Sequence, residues 1–143
     1  SLYIEKSMMN SEIGFGRKVL QVLEEQGIAF EHIPSGIDTM TIYIHQDEFS
    51  QKEQQVIAGI HRIVNPDYME LETDLSLIAV VGRGMRSNRG TAARIFAALA
   101  HANVNVKMID QGSSELNVIV GVKDEDFEPA IRAIYDIFVE TQI

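Results

Sequence analysis

The chain's 143 residues, 45% apolar and 23% charged, suit one ordinary domain or two small ones and argue against wholesale disorder. Twelve basic against 21 acidic residues leave a formal charge of −9, which argues against nucleic acid or an anionic membrane as partner, because both need basic patches. With no cysteine, disulfides, thiolate metal sites, iron–sulfur clusters and cysteine nucleophiles are excluded, and a reducing cytoplasm is the expected setting. No apolar run approaches the roughly 20 residues that span a bilayer. Ser1–Lys6 has neither the basic start nor the long apolar stretch of a signal peptide.

Taken in chain order, Leu2-Tyr3-Ile4 begins a strand. Phe15, Val19, Val22 and Leu23 recur at i, i+4, i+7 and i+8, which predicts a helix over 14–26 with one apolar face. Gly27 ends it, as glycine does at a helix C-terminus. Ile28, Phe30 and His32 alternate into a strand, Pro34-Ser35-Gly36 turns, and Met40, Ile42 and Ile44 form the apolar face of the next strand. Val56, Ile57, Ile60, Ile63 and Val64 predict a second helix closed by Asn65-Pro66. A short strand over 68–72 completes a β-α-β-β-α-β order, the split βαβ unit of ferredoxin-like folds.

The same order starts again. Leu75–Val81 reads as a strand buried on both faces. A helix follows from about Gly90, strands around 104–109 and 116–122, and a last helix bearing Phe127, Ala130, Ile131, Ile134, Ile137 and Phe138. Residues 139–143 are too few and too polar for a closing strand, so one sheet edge is expected to lack its partner. Placing Gly14 over Gly90, a displacement of 90 − 14, or 76, residues, aligns the halves without a gap. Val19 then meets Ile95, Leu23 meets Leu99, Ile28 meets Val104, Ile42 meets Val118 and Ile44 meets Val120. Met9 and Ser11 fall on Met85 and Ser87, matches that helical or strand periodicity does not require. The chain is therefore read as an internal duplication.

Most familiar chemistry is missing. His32, His45, His61 and His101 are not at ligand spacing, and the serines lack a histidine–carboxylate pair for a triad. Gly82–Gly90 lacks the register of a dinucleotide fingerprint and the Lys-Ser/Thr ending of a P-loop. Asp124-Glu125-Asp126 suits a solvated helix start, where negative charge complements the dipole. What remains is the loop Met9–Gly16, which joins a strand to a helix N-terminus, where unpaired N–H groups can hold a carboxylate. Glu31 or Asp38, beyond the facing strand, could pair an ammonium group. Two readings stand side by side: a site for an amino acid, or ordinary surface carboxylates in an acidic protein.

EKSMMNSEIGFGRKVLQVLEEQGIAFEHIPSGIDTMTIYI resembles the first ACT domain of bacterial monofunctional aspartokinases, and VVGRGMRSNRGTAARIFAALAHANVNVKMIDQGSSELNVIVGV resembles the second. GFGRKVL, HIPSGID and MIDQGSSELN are the most specific stretches, and the resemblance covers nearly the whole chain. It implies an α+β fold of two ferredoxin-like βαββαβ ACT domains in tandem, 1–74 and 75–143. It also implies that the second domain takes a strand from upstream of residue 1. The implied function is the regulatory region of an enzyme that phosphorylates the aspartate side chain, sensing lysine and/or threonine for feedback inhibition. No catalytic residue, metal or cofactor is expected here, since ATP and Mg would belong to the kinase domain. The implied partners are the amino-acid effector, the chain's own kinase domain and a second copy in a homodimer.

Carried over by position, the resemblance places the effector against Met9, Ser11, Glu12, Ile13, Gly14, Phe15 and Gly16. It adds Phe30, Glu31 and Ile33 on the facing strand and Asp38 and Thr39 beyond the turn. Ser11 and Glu12 stand where some lysine-sensitive relatives carry His and Ser. The matching residues of the second half, Met85, Ser87, Asn88, Gly90 and Gln111, serve packing or a second effector site. Two rivals remain: a ligand-independent dimerisation module, and a small enzyme on the same scaffold, for which no paired acid and base is evident.

Overall fold

In a computed structural model, which describes residues 1–82, 88–112 and 117–139, the chain divides into two compact units, Ser1–Thr73 and Asp74–Ile143. The first unit runs β1 (Leu2–Glu5), α1 (Phe15–Glu25), β2 (Thr39–Ile42), a short α2 (Gln46–Ser50), α3 (Glu53–Val64) and β3 (Tyr68–Leu71). Its antiparallel sheet has the order β2-β1-β3, so β1 is central. The helical periodicity reads correctly: Phe15, Val19, Val22 and Leu23 of α1 are buried, and α3 contributes Val56, Gly59, Ile60 and Val64. These close over Leu2, Ile4 and Ile42 in one core. Asn65 ends α3 in the left-handed region at φ 46, and Pro66 follows, unable to continue the helix.

The second unit runs β4 (Leu75–Val81), α4 (Thr91–His101), β5 (Met108–Asp110), β6 (Asn117–Lys123) and α5 (Phe127–Val139). Its sheet order is β4-β6-β5. A 3₁₀ turn, Asp124–Asp126, leads into α5, whose first turn accommodates Pro129 because no helical donor is needed there. Ile78, Ile95, Leu99, Val118, Val120, Val122, Ala130 and Ile134 make its core. Among the described residues β6 alone pairs with β4, and no strand stands where β3 stands in the first unit.

The duplication is visible in the backbone. Gly14 and Gly90 both precede an eleven-residue helix in the left-handed conformation, at φ 77 and φ 84. The left-handed position that follows each helix is taken by Gly27 in one copy and Asn103 in the other. Ile28 N–H donates to Leu23 O at 2.9 Å, and Val104 N–H repeats this with Leu99 O at 3.0 Å.

Four expectations need correction. The strand expected over 28–33 is irregular, pairing with β2 and its extension only through isolated bridges, His32 to Tyr43 and Ser35 to Met40. Pro34 between them has no N–H to give a ladder and only accepts, from Thr41 N–H at 3.0 Å. In the second unit only Met108–Asp110 of the corresponding stretch is regular. Second, β4 is not buried on both faces. Ile78 is buried but Ala79 is exposed and Val81 is 73% exposed, the alternation of a strand with one covered face. Third, a short helix, α2, stands over Gln46–Ser50, where no buried residue marks a helical face in the sequence. Fourth, the gapless alignment fails after the turn. Ile4 pairs with Met40, whereas the corresponding Val80 pairs with Val118, so the displacement there is 78 residues rather than 76. Met40 thus corresponds to Val118 and Ile42 to Val120.

Candidate functional site

The loop after β1 is tied to the start of β2 by main-chain bonds. Lys6 N–H donates to Asp38 O at 2.9 Å, and Asn10 N–H donates to Ile37 O at 3.1 Å. The Asp38 carboxylate adds a third tie, accepting from Met8 N–H at 3.0 Å. Met9 opens a 3₁₀ turn over Met9–Ser11 and is buried beneath the loop, while Ser11 is exposed. Gly14 then reverses the chain into α1, and Phe15 plunges into the core. Gly16 lies where a Cβ would sit 3.6 Å from Met40 Cε, an ordinary contact. Ile13 projects almost fully, at 97% exposure. Met9, Ser11, Glu12, Ile13, Gly14, Phe15, Gly16, Asp38 and Thr39 therefore meet at one end of the sheet.

Glu12 has an occupied carboxylate. Lys6 Nζ donates to Oε2 and Lys18 Nζ to Oε1, each at 2.8 Å. Lys6 Nζ also donates to Val64 O at the end of α3, and it lies 5.8 Å from the centre of the Phe15 ring. Local spacing does not suggest this cluster, because each lysine is six residues from Glu12 and reaches it only through the loop's fold. The Lys18 bond, and after it the Lys6 bond, holds the Glu12 carboxyl below its ordinary value near 4.5. A carboxyl with a lowered folded pKa contributes stability above its unfolded value and loses it as pH falls through the folded one. The ion pairs are therefore expected intact at neutral pH and to open only below that ordinary value. A carboxyl-carbon NMR titration of Glu12 with a midpoint at or above 4.5 would contradict this.

Phe30 and Glu31 are not brought to the loop. Glu31 N–H donates to Tyr43 O at 2.7 Å, and its carboxylate stands 3.1 Å from His45 Nε2. Tyr43 is four residues beyond Thr39, about 13 Å at the rise of a strand. Phe30 is exposed, and Ile33 is partly buried against the core. In the second unit, Met85 and Ser87 lie outside the described residues. Asn88 O accepts from the Thr91 hydroxyl at 2.9 Å, and Gly90 O accepts from Arg94 N–H at 3.0 Å, so both serve the start of α4. Gln111 is exposed beyond β5. Among the described residues no group of histidines and carboxylates could hold a metal ion, and no helix is long and apolar enough to cross a membrane.

Two units of one α+β design, each with a left-handed glycine capping its first long helix, define a duplicated α+β module. Residues 78–138 match the family model of the ACT domain. Over 139 residues the chain is 48% identical to aspartokinase 3 of Bacillus subtilis, covering 96% of this chain and 31% of that protein. The aspartate kinase of Clostridium acetobutylicum, presented as an important allosteric enzyme, superposes with a TM-score of 0.92 at 47% identity, over 94% of this chain and 31% of that one. The ligand-free regulatory subunit of aspartate kinase from Thermus thermophilus superposes with a TM-score of 0.78 at 27% identity, over 94% of this chain and 89% of that one. The chain is an ACT-domain protein and belongs with the regulatory regions of aspartokinases. It spans about a third of the length of the full aspartokinases it matches.

Proposed function

We propose that this chain is the amino-acid-sensing region of an aspartokinase, binding lysine and/or threonine at the Met9–Gly16 loop. Bound effector would restrain an attached kinase domain that phosphorylates the aspartate side chain with ATP and Mg. The observation that carries the reading is Asp38, a carboxylate tied to the loop that ends at the glycine-capped start of α1. Such a helix start favours the effector's carboxylate through its N–H groups and dipole. Asp38 supplies a counter-charge for the ammonium. Asn88 and Gly90 of the second unit serve the start of α4 in this reading.

Phe30 and Glu31 enter the site from a second copy, while Ile33 packs against its own core. Met8, Ile13, Phe30 and Ile37 are large apolar side chains left exposed around the loop and the neighbouring edge, as suits a surface covered in a homodimer. Effector would bind one dimer arrangement better than the other, and only that difference regulates. A coupling of about 1–3 kcal/mol, typical of allostery, suffices for strong feedback.

Calorimetric titration of the 143-residue chain with lysine, then threonine, tests the reading. Saturable binding of one is expected. Asp38→Asn keeps an oxygen for Met8 N–H and removes the charge. It should weaken binding about tenfold or more, since a hydrogen bond to a charged group contributes roughly 1.5–3 kcal/mol. Unchanged affinity in Asp38→Asn would refute the ammonium assignment. A folded dimer that binds neither amino acid would favour ligand-independent assembly.

A further inference from the structure

We infer that Glu12 is a positioning residue, which shapes the amino-acid loop through Lys6 and Lys18 instead of touching the amino acid. The inference rests on the proposed site but concerns a different interaction. Both Glu12 oxygens are engaged, Oε2 by the last side chain before the loop and Oε1 by the second turn of α1. Glu12 O also accepts from Phe15 N–H at 3.2 Å, so its main chain and side chain both tether the entry to α1. Lys6 extends the tether to a third element, donating to Val64 O at the C-terminal end of α3. A cation is favoured there, because the last carbonyls of a helix carry partial negative charge. Thus the residue that follows β1, helix α1 and, through Lys6, the end of α3 are joined around one carboxylate in the middle of the loop.

The charge balance points the same way. The two ammonium groups outnumber the one carboxylate within the Lys6–Glu12–Lys18 cluster, whereas the Asp38 and Asp67 carboxylates sit on Met8 and Ser7 N–H at the start of the loop. The cluster beside the N-terminus of α1 therefore suits the carboxylate of an amino acid better than its ammonium. Were Glu12 to take the ligand's ammonium, it would have to release Lys6 or Lys18 and bring a third cation into the cluster. Discrimination of the ammonium end therefore falls to Asp38 and to Glu31 of a second copy.

Amide hydrogen exchange over residues 8–15 in the unliganded chain reads this role without requiring a ligand. Glu12→Gln, which removes both partly exposed ion pairs, should speed exchange about threefold to tenfold, and Lys6→Met and Lys18→Met, which remove one pair each, should speed it by less. Glu12→Gln combined with Lys18→Met should exchange no faster than Glu12→Gln alone, since both break the same pair. In a Lys6→Met background, which removes the like charge, the exchanged pair, Glu12→Lys with Lys18→Glu, should recover part of the protection, which loss of side-chain packing alone would not give. Should Glu12→Gln unfold the unit, Lys18→Met still carries the test, because Lys18 is partly exposed. In lysine and threonine titrations, the variants that loosen the loop should bind severalfold more weakly. If Glu12→Gln leaves exchange unchanged yet weakens binding, Glu12 contacts the ligand and the inference is overturned. If no amino acid binds the unaltered chain, the sensing reading fails, while the exchange rates still decide what Glu12 does.

Discussion

Gly59→Leu is expected to destabilise the first unit by about 3 kcal/mol or more. Gly59 lies on the buried face of α3, and a Cβ built there meets Val22 Cγ1 of α1 at 2.7 Å, nearer than real side chains approach. Even alanine would force Val22 to shift, and Val22 is itself packed in the core. Each methylene added to a filled interior pushes neighbours off their rotamers, at about 1–3 kcal/mol. Leucine adds three further carbons beyond that first clash, and the helices must separate. The consequence reaches the loop, because α1 carries Gly14 and Lys18 at one end and α3 carries Val64 at the other. Urea unfolding followed by exchange within 15–25 and 53–64 measures the effect. A midpoint within error of the unaltered protein would show that α1 and α3 do not approach as closely as described.

The legible parts of this molecule follow the physics of periodic burial. Phe15, Val19, Val22 and Leu23 announce α1 because a buried helix face recurs every 3.6 residues. Gly14 and Gly90 mark equivalent turns because both positions need φ > 0. The two-residue lengthening of the second turn is illegible for a matching reason. Side chains alternate along a strand with a period of two, so sliding by two puts apolar residues on apolar residues again. Ile42 over Val118 looks as good as Ile42 over Val120, and only the pairing with Leu2 and Ile78 decides.

The loop between β1 and α1 is legible in outline, and the pairing of its charges is not. Asp38 is a candidate by its charge and position, but its bond to Met8 N–H depends on where the turn 34–37 folds. The partners of Glu12 come from the residue after β1 and from α1, across a non-repeating loop, and no sequence period links them. Glu31 resembles an ammonium ligand by position alone. In one copy it faces Tyr43 and His45, and no spacing rule measures the distance from there to the loop.

Gly14→Val is expected to abolish amino-acid binding, while the same change at Gly90 should leave it intact. Both glycines cap a helix at positive φ, 77 and 84, where a β-branched side chain is strained by about 1–3 kcal/mol. Neither position is crowded: the nearest atom to a Cβ at Gly14 is Arg17 Nε at 3.8 Å, and nothing lies within 4 Å at Gly90. Backbone strain is therefore the main cost at both sites, and the stability losses should be similar. The functional losses should differ. At Gly14 the strain is relieved by rotating the peptides that join Glu12 to Phe15, which swings the first N–H groups of α1 away from the carboxylate position. Gly14→Asn should retain most of the binding, because asparagine tolerates the left-handed conformation. Thermal unfolding paired with lysine and threonine titrations separates the two effects. Equal loss of binding at Gly14 and Gly90 would place the effector at both turns, and loss at Gly90 alone would move it to the second unit.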